Sequence, residues 1–206
     1  MPASAHGARI AGLILAGGRS SRFGAEKALA LLHGEPLLAI AADQLRNFCD
    51  PIAVSAPASG DTAALVLALG LERLADDPTY PEGPLCGVAA GLRWAKALGA
   101  DILATVPCDT PFLPANMIAR LVAALDVDHP AACAQTSDGR HPLCAVWRTN
   151  LAETIHTALS GGRHPPIHDL LGQLPARPVW FDDAAAFLNI NTAGDLAAAA
   201  RAHETR

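Results

Sequence analysis

Apolar residues along this chain fall into short unbroken runs, separated by longer stretches in which they recur every three or four positions. The run Ile10-Ala11-Gly12-Leu13-Ile14-Leu15 has no polar member, and its length suits a buried strand. Residues 52–55, 71–74, 102–106 and 179–181 read as further strands, 102–106 most clearly, with Pro107 ending it. Residues 131–135 and 143–147 add two more, flanking the turn Ser137-Asp138-Gly139-Arg140. Helical spacing covers 37–48 behind Pro36, 62–69 closed by Gly70, 87–98 stopped by Gly99, and 115–125 behind Pro114. It returns at 151–159, 167–174 and 193–202, where Thr192 and Asp195 stand at a spacing close to that of a capping box. This alternation predicts an α/β fold, a mainly parallel central sheet with helices on both faces, in one domain over residues 1–206. Open sheets of this kind bind ligands beyond the carboxyl ends of their strands. The loops after Leu15, Leu74 and Val106 are therefore where chemistry is expected.

Composition narrows the classes. The 206 residues are 51% hydrophobic and 17% charged, which excludes a disordered chain and allows a sizeable core. A formal net charge of -5 argues against a nucleic-acid scaffold or a polybasic membrane clamp, and leaves room for an anion in a local pocket. The five cysteines include no C-x-x-C pair, so they form neither a disulfide framework nor a zinc ribbon, and they fit a reducing cytoplasmic setting. No apolar run reaches the length of about 18 residues needed to span a membrane. The run at 10–16 lacks the cleavage site of a signal peptide. Trp94, Trp147 and Trp180 are expected in the core or partly in it.

Straight after the first strand the chain reads Leu15-Ala16-Gly17-Gly18-Arg19-Ser20-Ser21-Arg22-Phe23-Gly24-Ala25-Glu26-Lys27. Glycines let backbone N–H groups approach a ligand closely, and Arg19, Arg22 and Lys27 add cations, as a polyphosphate cradle requires. A solvated basic turn has the same composition. The Walker A pattern does not fit, because Lys27 stands three residues past Gly24 and no Ser or Thr follows it; G-x-G-x-x-G does not fit either. Asp109 comes just beyond the strand at 102–106, where a carboxylate suits Mg²⁺; the alternative is a cap for the helix after Pro114, which lies rather far downstream. Cys108 beside it reads as packing, since an acidic neighbour disfavours a thiolate. Asn189 and Asn191 face one side of an extended segment, or else form a polar turn before the last helix. His141, His164 and His168 carry no metal-ligand spacing and read as loop histidines.

The glycine loop resembles the signature of nucleotidyltransferases with a Rossmann-like fold, most closely that of the molybdenum cofactor guanylyltransferases. Four more segments fit the family in order: Gly83-Pro84-Leu85-Cys86-Gly87, Pro107-Cys108-Asp109-Thr110-Pro111-Phe112, Asp138-Gly139-Arg140-His141-Pro142 and Phe187-Leu188-Asn189-Ile190-Asn191-Thr192. The resemblance implies that Leu15, Ala16, Gly17 and Gly18 lie along the nucleotide, with Arg22 and Lys27 at its triphosphate. It implies nucleotide contacts at Asp76, with Asp77 as the alternative, and at Gly83, whose loop would stand on the guanine side. Ser55 holds a nucleotide position where relatives often carry Asn, which weakens a contact there. Cys86 replaces a more usual Ala, with little effect expected. Asp109 and Asn191 would hold Mg²⁺, and His141, Arg163, Asn189 and Asn191 would face the acceptor, giving an N-terminal nucleotide half and a C-terminal acceptor half.

The implied reaction transfers GMP from GTP to the terminal phosphate of molybdopterin, with Mg²⁺, releasing pyrophosphate. The implied partners are those small molecules, with transient contacts to cofactor-biosynthesis proteins and apo-molybdoenzymes, no nucleic acid and no membrane; a monomer is expected. The competing readings are cytidylyl transfer to the same pterin, transfer to a sugar phosphate, and a non-catalytic nucleotide-binding or cofactor-delivery protein.

Overall fold

The computed structural model describes residues 7–16, 26–75, 83–160 and 167–203. In chain order the strands are β1 (Ile10–Leu15), β2 (Leu31–Leu32), β3 (Glu35–Pro36), β4 (Ile52–Ser55), β5 (Glu72–Leu74), β6 (Ile102–Pro107), β7 (Ala131–Thr136), β8 (Gly139–Arg148) and β9 (Ala176–Trp180). The helices are α1 (Leu37–Arg46), α2 (Asp61–Ala68), α3 (Pro84–Ala97), α4 (Met117–Ala123), α5 (Ala152–Ser160), α6 (Ile167–Gln173) and α7 (Ala193–His203). Single 3₁₀ turns stand at Lys27–Leu29, Thr149–Leu151 and Ala184–Phe187.

Seven strands form one sheet in the order β5-β4-β1-β6-β8-β7-β9. β1 pairs in parallel with β4 and β6, β4 with β5, and β7 with β9. β8 alone runs against its neighbours β6 and β7. Parallel neighbours need long crossovers, and α1, α2 and α3 supply them in turn. The fully apolar strands are explained by cover on both faces. Ala11, Leu13 and Leu15 join a cluster with Leu85 and Leu92 of α3 and Ile155 of α5. Ile14 points the other way and joins Leu38 and Leu45 of α1 and Leu121 of α4. The strand's two-residue period thus distributes one run of sequence between two cores.

Several expectations are corrected. The sequence 31–36, to which no element was assigned from the pattern, forms the hairpin β2–β3 around His33 (φ 52°) and Gly34 (φ 84°). Two residues with positive φ are what a tight primed turn demands. β8 begins at Gly139 rather than 143, so His141 lies on a strand and not in a loop. β9 begins at Ala176, and its Pro178 is tolerated because β9 is an edge strand. Trp147 is fully buried, its indole N–H donating to Thr105 Oγ1 at 3.2 Å. Trp180, expected in the core or partly in it, is half exposed, with its indole N–H on Asp182.

Candidate active site

The parallel strands β4, β1 and β6 end side by side. Leu15 is the last residue of β1; the Ala16 N–H donates to Ser55 O at 3.0 Å, and the Cys108 N–H donates to Leu15 O at 3.2 Å. Just beyond that edge Lys27 opens its 3₁₀ turn. Its ammonium donates to Asp109 Oδ2 at 2.8 Å and to Asn191 Oδ1 at 2.9 Å. These partners are 82 and 164 residues away in sequence, so the cluster is wholly a product of the fold. The side chains of Lys27 and Asp109 are only 17% and 16% exposed, which shields their attraction from solvent.

Each member is held by its own anchor. Asp109 lies two residues beyond Pro107, the last residue of β6, and its carbonyl accepts the Ile190 N–H at 2.8 Å. Ile190 is buried in a small cluster with Leu32 and Leu37, with Phe112 and Leu196 packed against it. The apolar residue goes inward, and the flanking asparagines are left to the polar side. The Thr192–Asp195 box forms as its spacing suggests: the Thr192 N–H donates to Asp195 Oδ2 at 2.9 Å, and the Asp195 N–H to Thr192 Oγ1 at 3.1 Å. Asp195 Oδ2 also accepts the Asn191 N–H at 2.9 Å, so the cap of α7 fixes the backbone of Asn191. Those bonds, from Asn191 first, hold the Asp195 carboxyl below its ordinary range. Next to Lys27, the Glu26 carboxylate accepts the Thr62 N–H at 2.6 Å and the Thr62 hydroxyl, capping α2 from outside that helix.

Other expected residues are placed differently. Residues 84–87 are not a loop but the first turn of α3, entered from Gly83 with Pro84 in the first helical position. Gly87 brings that turn against the strand ends, since a Cβ there would lie 2.7 Å from Ser55 Oγ and 2.8 Å from Leu15 Cδ2. Ser55 is buried beneath it. Asn189 is bonded to Thr110, whose hydroxyl lies 2.9 Å from Asn189 Oδ1. His141 Nε2 lies 2.9 Å from Thr136 Oγ1, and the ring stacks on Phe187 at 4.7 Å between centroids. Burial holds the His141 pKa below its ordinary value. Asp109 does not cap the helix after Pro114; Asn116 stands at that position, and the Asp109 carboxylate faces Lys27. Gly17, Gly18, Arg22, Asp76 and Arg163 lie outside the described residues.

Cys108 is buried, and burial first, with the Asp109 charge second, pushes its thiol up to about 12. It stays protonated at neutral pH, which suits packing and not nucleophilic attack. Among the described residues no group of three or more His, Cys, Asp or Glu is arranged to hold a metal by itself. Asp109 and Asn191 instead present two oxygens to one cation, the Lys27 ammonium. That donor set fits Mg²⁺, which takes one or two protein oxygens and completes its shell with phosphates and water. Glu26, Thr110 and Asp195 were not singled out as site residues from the sequence; only Asp195 carried a readable signal, through its capping spacing.

A family model described as the MobA-like NTP transferase domain matches residues 12–176, a span that includes Lys27 and Asp109. The chain belongs to the MobA-like NTP transferase family. It is a nucleotidyltransferase. The family's members include the molybdenum cofactor guanylyltransferase of Cereibacter sphaeroides, 41% identical over 194 residues, covering 93% of this chain and 95% of that one. The protein of the same name from Burkholderia lata is 40% identical over 210 residues, covering 98% and 100%. Among solved structures, molybdopterin-guanine dinucleotide biosynthesis protein A from Archaeoglobus fulgidus superposes with a TM-score of 0.75 at 21% identity, covering 95% of this chain and 99% of that one. A 4-diphosphocytidyl-2C-methyl-D-erythritol synthase from Anaerococcus prevotii reaches 0.73 at 15% identity, covering 97% and 100%. At those identities the two structures speak for the fold alone. No helix among the described residues is long and apolar enough to cross a membrane.

Proposed function

We propose that this protein transfers GMP from GTP to the terminal phosphate of molybdopterin and releases pyrophosphate, with Mg²⁺ as the metal. The convergence of Lys27, Asp109 and Asn191 beyond the ends of β1 and β6 carries the reaction class. The names of relatives at about 40% identity over nearly the whole chain support the two substrates.

A phosphate monoester has a second pKa of about 6, so the acceptor is largely dianionic at neutral pH and needs no general base. The task left to the protein is charge neutralisation and alignment. Lys27, with Arg22, neutralises the triphosphate, and Asp109 and Asn191 would hold Mg²⁺, which would supply positive charge to offset that of the phosphates. Leu15, Ala16, Gly17, Gly18, Ser55, Asp76 and Gly83 serve the nucleotide in this reading. His141, Arg163 and Asn189 serve the acceptor, and the protein works as a monomer in the cytoplasm. Transient contacts with other cofactor-biosynthesis proteins and apo-molybdoenzymes belong to the same reading, because the product must be handed on.

Asp109→Ala tests the metal role. Transfer should fall by about 10²- to 10³-fold, while the circular dichroism spectrum and melting temperature stay close to those of the wild type. Unimpaired turnover by that folded variant would remove Asp109 from the mechanism.

A further inference from the structure

Asp109 and Asn191 sit on separate segments, and their spacing depends on how those segments are joined. Two hydrogen bonds join them. The Ile190 N–H donates to Asp109 O at 2.8 Å, and one residue further along each segment, in opposite directions, the Thr110 hydroxyl donates to Asn189 Oδ1 at 2.9 Å. The hydroxyl has a second acceptor, Asp109 Oδ1, at 3.5 Å; its one hydrogen goes to the nearer oxygen. Thr110 is 1% exposed, and its carbonyl is tied to α1 by the Gln44 side-chain amide at 3.2 Å. The donor is therefore fixed from behind, whereas Asn189 is an exposed residue reached only through this contact among those described.

We infer that Thr110 is a positioning residue: its buried hydroxyl clasps Asn189 and so fixes the Asn191 oxygen relative to the Asp109 carboxylate. The inference rests on the reaction proposed above. With the clasp closed, two direct hydrogen bonds join the segments and resist pivoting; with the hydroxyl removed, only the Ile190 bond joins them directly, beside the bridge through the Lys27 ammonium. Outer contacts that orient metal-binding oxygens are worth about 10- to 100-fold in metal affinity or activity. Holding Asn189 Oδ1 as an acceptor also leaves its two amide hydrogens as donors. They suit a phosphate oxygen, and the Asn191 oxygen suits a cation, so neighbouring asparagines carry opposite polarity.

The test compares Thr110→Val, which keeps the shape and removes the hydroxyl, with Thr110→Ser, which keeps the hydroxyl. Pyrophosphate release is measured on the full chain with GTP, the pterin acceptor and a Mg²⁺ titration. Thr110→Val should need about tenfold more Mg²⁺ for half-maximal rate and lose about tenfold in kcat, and Thr110→Ser should stay close to the wild type. Equal Mg²⁺ dependence in Thr110→Val and wild type overturns the inference, and so does an equal loss in Thr110→Ser. Should Thr110→Val fail to fold, Asn189→Ala opens the clasp from the other side and must reproduce the Mg²⁺ shift. Hydrogen exchange at the Ile190 amide supplies a readout without turnover: faster exchange in Thr110→Val than in Thr110→Ser supports the clasp, and equal exchange refutes it. An exchange difference between the two variants, together with no release from GTP by the wild type, would sink the proposed reaction and leave the clasp standing.

Discussion

At the scale of residues, the proposed reaction asks the site to place charge rather than to create an unusual base. Lys27 and Asp109 are paired at 2.8 Å in a mostly shielded position, and the nearest thiol, Cys108, is kept neutral by burial. The folded pKa of His141 lies below the ordinary 6.5 because burial disfavours the imidazolium. Between that depressed value and 6.5 the unfolded chain binds more protons than the folded one, so stability falls as pH drops through this window and levels off above it. The wild-type melting temperature should therefore fall on going from pH 7.5 to pH 5.5 by more than that of His141→Phe, which keeps a ring against Phe187 but cannot titrate. Parallel pH profiles for the two proteins would show that His141 is not the group responsible. The candidacy of some residues was legible from chemistry alone: Asp109 from its place after a buried strand, and Lys27 from its loop. Thr110 was not, because a threonine signals nothing until the segment that meets it, 79 residues away, is known.

At the scale of elements, the first turn of α3 and the cap of α7 set the limits of the site. The Gly87 position lets α3 press on Ser55 and Leu15, so Gly87→Ala must push the helix off the ends of β1 and β4. Overpacking of this kind costs about 1–3 kcal/mol, and it should lower the melting temperature and weaken GTP binding together, as thermal melting and a nucleotide titration would record. A variant that binds GTP like the wild type would place the nucleotide away from this turn. Residues 83–87 read as a loop through the family resemblance, yet Gly83 followed by Pro84 is also how a helix begins. The hairpin β2–β3 escaped notice for a different reason: strands of two residues are too short to show alternation. α7 was legible because Thr192 and Asp195 make a local cap, needing nothing from the rest of the chain.

At the scale of the whole molecule, the mainly parallel sheet follows from the apolar runs, which only two-sided burial explains. The hairpin of β7 and β8 follows from its turn residues. The exposure of Trp180 was not legible, since an edge strand cannot be told from an inner one until the strand order is known. The same order brings Lys27, Asp109 and Asn191 to one edge, and the account stands on what that edge does. The most direct test is pyrophosphate release by the purified protein with Mg²⁺ and the pterin cofactor, comparing GTP with CTP at equal concentration. The account predicts release with GTP and little with CTP. Release with CTP in preference to GTP would contradict the guanylyl assignment, and no release with either nucleotide would contradict the acceptor.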